Sequence, residues 1–208
     1  MKLLCIDTTK QRAILALNNN GKLSYRIIPE TKRHSEALLF ELEQFLCDNQ
    51  LTIQDIDTLG CVVGPGSFTG IRIGVATVKA FQFALNIPVV SDNYFNIVAS
   101  DVKEGYVALK DTSTAVNLSK ITKSKAGDIT TINNTDVDNV VNGNKLYLDS
   151  SEHLAEVITY NNTSMIEDFA TIMLNYFTKK AENKQFTNNA DFAPVYAQLS
   201  QAERNLKD

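Results

Sequence analysis

The chain has 208 residues, of which 44% are hydrophobic and 21% charged, and its formal net charge is −4. Such a length and composition predict a globular protein with a substantial core, built as one domain or two small ones. The acidic balance argues against a dedicated nucleic-acid-binding surface, because phosphate neutralisation needs clustered lysine and arginine.

In chain order, the periodicity of the first half alternates between strands and helices. The predicted strands are residues 2–6, 12–17, 22–28 and 58–63, with a short strand around Val89. The predicted helices are residues 35–48, with Ser35 as N-cap, then a helix after a glycine-rich loop, and residues 93–100. This order predicts a mixed sheet with helices packed on it.

After about Gly105 the composition changes, and we divide the chain into an N-terminal part, 1–104, and a smaller C-terminal part, 105–208. The second part has predicted strands at residues 106–109, 115–121 and 146–148, and predicted helices at 151–159 and 165–180. Residues 128–144 are rich in Asn, Asp and Thr, which predicts turns or an exposed loop. Residues 192–199 are predicted to be extended or mixed.

The cysteines and the hydropathy pattern indicate a cytoplasmic protein. Cys5, Cys47 and Cys61 lie far apart without metal-ligand spacing, and Cys5 and Cys61 are predicted to be small buried side chains. The first residues turn polar too early for a signal peptide, and no apolar run approaches the roughly 20 residues of a membrane span.

The glycine-rich loop, Gly64-Pro65-Gly66-Ser67-Phe68-Thr69-Gly70, stands between a strand and a helix. It lacks the lysine of a Walker loop and the glycine spacing of a Rossmann fingerprint. Two interpretations stay open: backbone N–H groups that attract an anion, or a tight turn that needs glycine for packing. The residues of this possible vestigial anion or nucleotide site are Asp7, Thr8, Gly64, Gly66, Ser67 and Gly70.

The helix after the loop carries two apolar stripes, although a helix on the surface of a sheet needs only one. The first is formed by Ile71, Val75, Val78 and Leu85, and the second by Ile73, Ala76, Ala80 and Phe83. A second stripe predicts either burial under the rest of the chain or contact with a partner, and we favour the partner. The predicted interface consists of Leu39, Phe40, Glu43, Ile71, Gly74, Val75, Val78 and Phe81.

Several of these segments together resemble the TsaB (YeaZ) family. The matching segments are CIDTT at 5–9, RHSEALL at 33–39, GPGSFTGIRIG at 64–74, IPVVS at 87–91 and DFAPVYAQ at 191–198. The third is the most specific, and the resemblance covers residues 1–100 well and the remainder poorly. It implies an actin/Hsp70/sugar-kinase-like (ribonuclease H-like) α/β fold, with mixed sheets flanked by helices in two related halves.

The resemblance also implies a function. Family members are non-catalytic partners in making N6-threonylcarbamoyladenosine beside the anticodon of tRNAs that decode codons starting with A. The implied partners are a catalytic TsaD-like subunit and a TsaE-like ATPase of the wider complex, with a homodimer when alone. Contact with tRNA would be indirect, and no cofactor and no membrane association are expected.

The resemblance further bears on metal and nucleotide binding. TsaD carries a metal through two histidines, whose positions here are Tyr94 and Val98, so no metal centre is expected. Asp7 falls where ATPases of this fold use a strand-end aspartate to place Mg²⁺ and phosphate. The alternative function is therefore a small ATP-binding phosphotransferase or ATPase of the same fold. His34 is predicted to be a structural residue, since no catalytic partner can be assigned to it.

Overall fold

The computed structural model describes residues 1–29 and 34–197, and within these ranges the strands form two five-stranded sheets. The first sheet contains β1 Lys2–Asp7, β2 Ala13–Asn19, β3 Lys22–Ile28, β4 Thr58–Val62 and β5 Val89–Asp92. The second contains β6 Glu104–Lys110, β7 Ala115–Thr122, β8 Lys125–Asn133, β9 Leu146–Asp149 and β10 Thr163–Ile166.

The two sheets have the same topology. Their strand orders are β3-β2-β1-β4-β5 and β8-β7-β6-β9-β10. In each sheet the first three strands along the chain form an antiparallel meander. The next two strands are added in parallel beside the first strand of the meander. The chain therefore consists of two related halves, as the sequence predicts.

Helices cover both faces of each sheet. They are α1 His34–Asp48, α2 Phe68–Leu85, α3 Tyr94–Ala99, α4 Val137–Val141 and α5 Phe169–Glu182. The helices α1 and α2 pack on the outer face of the first sheet, and α4 packs on the outer face of the second. Between the two sheets lie α3 and α5, whose buried residues contact both.

Strand β1 shows how the sequence sets these layers. Successive side chains of a strand point to opposite faces. Leu3 and Cys5 accordingly lie in the core between the sheets, whereas Leu4 and Ile6 lie in the core under α1 and α2. All four are fully buried, because β1 is the central strand of the first sheet and is covered on both faces.

The last described segment, residues 185–197, returns to the first half. The Thr187 N–H donates to the Val89 carbonyl (2.8 Å), and the Val195 N–H donates to the Val63 carbonyl (2.7 Å). Phe192 is fully buried in the core under α1 and α2. This segment therefore completes the hydrophobic core of the first half, although it follows the second half in sequence.

The structure corrects three sequence predictions. Residues 128–144 are not one loop, because they include most of β8 and the whole of α4. The sequence of β8 is polar because its side chains are exposed or only partly buried. In α4, only Val137 and Val141 are buried in the core. The helix predicted at 151–159 is replaced by two 3₁₀ turns, and Ser35 lies inside α1 instead of capping it.

Candidate functional site

The turn after β1 packs directly against the glycine loop. The Ser67 N–H donates to the Thr9 carbonyl (2.7 Å), and the Thr8 hydroxyl donates to the Gly70 carbonyl (2.6 Å). The Ser67 hydroxyl caps α2 by accepting from the Gly70 N–H (3.2 Å). The Ser67 N–H and the Gly70 N–H at the start of α2 therefore already have hydrogen-bond acceptors within the protein.

Close approach of the two backbones explains the glycines. A Cβ on Gly70 would lie 2.0 Å from the Thr8 carbonyl oxygen, and one on Gly66 would lie 2.1 Å from the Thr9 carbonyl oxygen. Real Cβ atoms do not approach oxygen so closely, so any side chain here would push the turn after β1 away. The glycines serve packing in this structure. That the loop is a remnant of a nucleotide site stays a prediction.

Asp7, at the end of β1, is fully buried. Its Oδ1 accepts hydrogen bonds from the Thr9 N–H (2.8 Å) and the Thr9 hydroxyl (2.7 Å). Its Oδ2 accepts no hydrogen bond from the described residues and lies 3.9 Å from the ammonium of Lys10. Asp7 therefore faces a closed cleft between the halves, which the buried side chains of Lys10 and Asp149 fill, with one Asp7 oxygen hydrogen-bonded and one not.

Lys10 and Asp149 join the two halves, and sequence reasoning missed both. The buried Lys10 ammonium donates to Asp149 Oδ2 (2.7 Å) at the end of β9. The Tyr94 hydroxyl donates to the same oxygen (3.0 Å). Burial alone would raise the pKa of Asp149, but the charge of Lys10 and hydrogen bonds from Lys10 and Ser151 hold it below its ordinary value.

A signal for Asp149 was present in the sequence. Asp149-Ser150-Ser151 at the end of β9 repeats the pattern Asp7-Thr8-Thr9 at the end of β1. The geometry repeats as well, because Asp149 Oδ1 accepts from the Ser151 N–H (2.9 Å) and the Ser151 hydroxyl (2.5 Å). Both aspartates thus make the same turn, one in each half. For Lys10 the only signal was its place directly after the first of these turns.

The thiols of Cys5 and Cys61 are buried beside this site, as predicted. Burial raises the pKa of both thiols, and the neighbouring Asp7 carboxylate raises that of Cys61 further. A thiol that stays protonated is a poor nucleophile and a poor metal ligand. Both cysteines therefore act as small core residues.

The predicted interface residues divide into two groups. Leu39 and Phe40 of α1 are 61% and 60% exposed, Glu43 is exposed, and Phe81 of α2 is half-buried. The other four predicted interface residues of α2 do not reach the surface. Those buried residues are Ile71, Gly74, Val75 and Val78.

The structure thereby corrects which stripe of α2 faces outward. The first stripe packs on β1 and β4, with Gly74 against the Thr8 side chain. In the second stripe, Ala76 and Ala80 are exposed and Phe83 is 93% exposed. Periodicity reveals two stripes but does not say which of them meets the sheet. The interface itself stays a prediction, now carried by α1 and the second stripe.

A surface groove of about 630 Å³ lies between α1, α2 and the turn that follows α1. Its walls include three residues of the predicted interface, Leu39, Glu43 and Phe81, together with the exposed Cys47. Of the exposed apolar residues, Leu39 lines this groove, and Phe40 and Phe83 lie on the two helices that form its walls. We call the groove together with these residues the α1–α2 surface.

Tyr94 and Val98, the two positions that correspond to the metal-binding histidines of TsaD, make other contacts in this structure. Tyr94 lies in the cleft, and Val98 is fully buried in the core between the sheets. Within the described ranges no three His, Cys, Asp or Glu side chains are grouped to hold a metal ion. The side chain of His34 lies outside what the structure describes. Over those ranges, every helix is too short or too polar to cross a bilayer.

The solved structure of YeaZ from Pseudomonas aeruginosa matches this chain with a TM-score of 0.74. The match covers 94% of this chain and 99% of that one, at 18% sequence identity. With the repeated sheet topology, it defines the class of protein. The chain has the actin/Hsp70/sugar-kinase-like (ribonuclease H-like) fold, with two mixed sheets flanked by helices.

Sequence comparison narrows this class. Residues 21–105 match the family described as TsaD: tRNA N6-adenosine threonylcarbamoyltransferase. Over 90 residues the chain is 29% identical to the tRNA threonylcarbamoyladenosine biosynthesis protein TsaB of Escherichia coli, covering 43% of this chain and 39% of that protein. Over 87 residues it is 30% identical to the tRNA N6-adenosine threonylcarbamoyltransferase of Clostridium kluyveri, covering 41% and 25%. The resemblance to the TsaB (YeaZ) family is confirmed, and the matched segments span less than half of each relative.

Proposed function

We propose that the protein takes part in making N6-threonylcarbamoyladenosine on tRNA, as a non-catalytic subunit that pairs with a TsaD-like enzyme. The names of its relatives in Escherichia coli and Clostridium kluyveri support the pathway. The observation that carries the pairing is the α1–α2 surface, where Leu39, Phe40 and Phe83 are each more than half exposed. Grouped exposed apolar side chains beside a groove are typical of protein interfaces.

The non-catalytic role is supported by what the cleft contains. The turn after β1 is packed on the glycine loop, and the Lys10 ammonium pairs with Asp149 beside Asp7. A phosphate at this point would have to displace contacts that hold the two halves together. We infer that the chain contributes a binding surface and leaves the chemistry to its partner.

The wider assembly follows from this proposal. The α1–α2 surface would be shared between the TsaD-like subunit and a second copy of this chain, so the homodimer would form only when the enzyme is absent. A TsaE-like ATPase would join through the TsaD-like subunit, and tRNA would contact the complex elsewhere. We also propose a cytoplasmic location, and we retain the division of the sequence into parts 1–104 and 105–208.

The test is binding of the purified chain to a TsaD-like protein, measured by size-exclusion chromatography with light scattering and by titration calorimetry. Phe40→Glu should weaken binding at least about tenfold, because a carboxylate would have to be desolvated in an apolar interface. The matched control is Val157→Glu, at a residue that is 49% exposed in the second half, and it should bind like the wild type.

Formation of the modified nucleoside gives the second readout. A reconstituted reaction should lose activity with Phe40→Glu and retain it with Val157→Glu, as measured by mass spectrometry of digested tRNA. If the wild-type chain stays monomeric, binds no TsaD-like protein and leaves the yield unchanged, the proposal is wrong.

A further inference from the structure

The Lys10 ammonium lies in a closed cage of two carboxylates and two aromatic rings. Its Nζ is 2.7 Å from Asp149 Oδ2 and 3.9 Å from Asp7 Oδ2. The centroid of the Phe169 ring is 3.8 Å away, and that of Tyr94 is 4.8 Å away. Lys10 is only 4% exposed, so water contributes little to the solvation of this charge. Such surroundings stabilise a cation.

The Lys10 ammonium compensates the negative charge of two buried carboxylates. Asp7 Oδ2 is fully buried and accepts no hydrogen bond from the residues that the structure describes. A buried carboxylate oxygen without donors is costly unless a cation lies near it. Lys10 supplies that cation while it also pairs with Asp149, so one positive charge serves two carboxylates.

The two carboxylates are presented in the same way by the two halves. Asp7 ends β1 and Asp149 ends β9, and each Oδ1 is held by the residue two positions later in a turn. Each Oδ2 is thereby left to face the cleft. Two carboxylate oxygens converging on one point from opposite walls resemble a binding site for a hard cation.

We propose that the Lys10 ammonium is a built-in cation that occupies a divalent-cation position between Asp7 and Asp149 and locks the two halves together. The chain then needs no bound ion to hold its cleft closed. Removing the ammonium while keeping both carboxylates would leave a site that takes a divalent cation. This inference concerns the cleft alone and does not depend on pairing with a TsaD-like protein.

The test uses the full chain and its variant Lys10→Ala, with CaCl₂ and MgCl₂ as probes in thermal and urea unfolding. Without metal, the variant should be less stable than the wild type, because two carboxylates are left uncompensated. Millimolar Ca²⁺ should restore much of that loss by binding the folded state, and it should leave the wild type unchanged. An equal response of both proteins, or a variant that ignores both ions, would overturn the proposal.

A second variant separates charge from packing. Lys10→Ala combined with Asp149→Asn removes the cation together with one carboxylate. It should be more stable than Lys10→Ala alone in the absence of metal and should lose the response to Ca²⁺. If the single variant does not fold, recovery of a folded double variant supports the proposal. A double variant that also fails to fold contradicts it if the further change Asp7→Asn does not restore folding, since Lys10 would then act through its packing. Lys22→Ala, at an exposed lysine of β3, is the matched control and should resemble the wild type.

Discussion

At the scale of single residues, the glycines of the loop are explained by the atoms that face them. Thr8 and Thr9 place their carbonyl oxygens where Cβ atoms would stand on Gly70 and Gly66. The turn after β1 can therefore lie on the start of α2, which brings Asp7 and Lys10 to the cleft. Packing at the loop and charge pairing in the cleft are parts of one arrangement.

Gly70→Ala tests this explanation because two effects oppose each other there. Alanine is the better helix former by about 1 kcal/mol, which would stabilise α2. The added Cβ would lie 2.0 Å from the Thr8 carbonyl oxygen, a backbone atom that cannot move aside easily, so the overpacking cost should lie in the upper part of its usual range, about 2–3 kcal/mol. We therefore expect net destabilisation of roughly 1–2 kcal/mol. Urea unfolding measures the difference.

The matched control is Gly127→Ala in β8, where the nearest facing atom would be 3.2 Å from the new Cβ. Its effect should be smaller than that of Gly70→Ala. A Gly70→Ala protein as stable as the wild type would show that the loop tolerates a side chain.

At the scale of elements, polar contacts fasten α5 to the end of β5. Asp92 Oδ2 accepts from the Tyr176 hydroxyl (2.6 Å) and the Lys180 ammonium (2.9 Å). Asp92 Oδ1 accepts from the Asn96 side chain (2.7 Å), which adds α3 to the same junction. One carboxylate therefore links the helices between the sheets to the first half.

This junction should make stability depend on pH. Burial alone would raise the pKa of Asp92, but hydrogen bonds from Tyr176, Asn96 and Lys180, with the charge of Lys180, hold it below its ordinary value. Because the folded pKa lies below the unfolded value of about 3.9, the stabilisation is complete above that pH and is lost as pH falls through the folded pKa.

Urea unfolding of the wild type and of Asp92→Asn between neutral and acidic pH checks this sign. The stability difference between them should be largest near neutrality and should shrink below about pH 4. Asp128→Asn, at an exposed aspartate of β8, serves as control and should follow the wild type throughout. A difference that stays constant with pH would contradict the assignment to Asp92.

At the scale of the whole molecule, two copies of one topology are tied together by segments that cross between them. Phe177 of α5 is fully buried in the core between the sheets, and Phe192 is fully buried under α1 and α2. The Phe68 and Tyr196 rings stack with centroids 4.1 Å apart, which joins the last described segment to the start of α2. The first half is therefore completed by residues from the end of the described chain.

Phe192→Ala should show how far the whole molecule depends on this return. Truncating a buried phenylalanine costs about 3–5 kcal/mol, a large fraction of the stability of an ordinary domain. Calorimetry should show a clearly lowered Tm. Phe186→Ala, at a residue of the same segment that is 42% exposed, is the control and should change stability by less than about 1 kcal/mol. Equal effects of the two changes would mean that burial of Phe192 does not anchor the segment.

Sequence by itself determined the local features of this protein. The continuous apolar run of β1, the helical spacing of Leu38, Leu42 and Phe45 in α1, and the glycine loop placed the main elements of the first half close to their observed bounds. These signals are local, because side-chain periodicity follows directly from strand and helix geometry. The polar edge strand β8 and the short helix α4 escaped detection, since few of their residues are buried.

Only the tertiary structure decided how these elements are used. Nothing local indicates that Lys10 meets Asp149, because the partners are far apart in sequence and come together only when the two sheets close on α3 and α5. Periodicity likewise gave α2 two apolar stripes, and only packing on the sheet buried Val78 and left Phe83 outside. Burial and charge pairing depend on neighbours distant in the chain, and the fold alone brings those neighbours together.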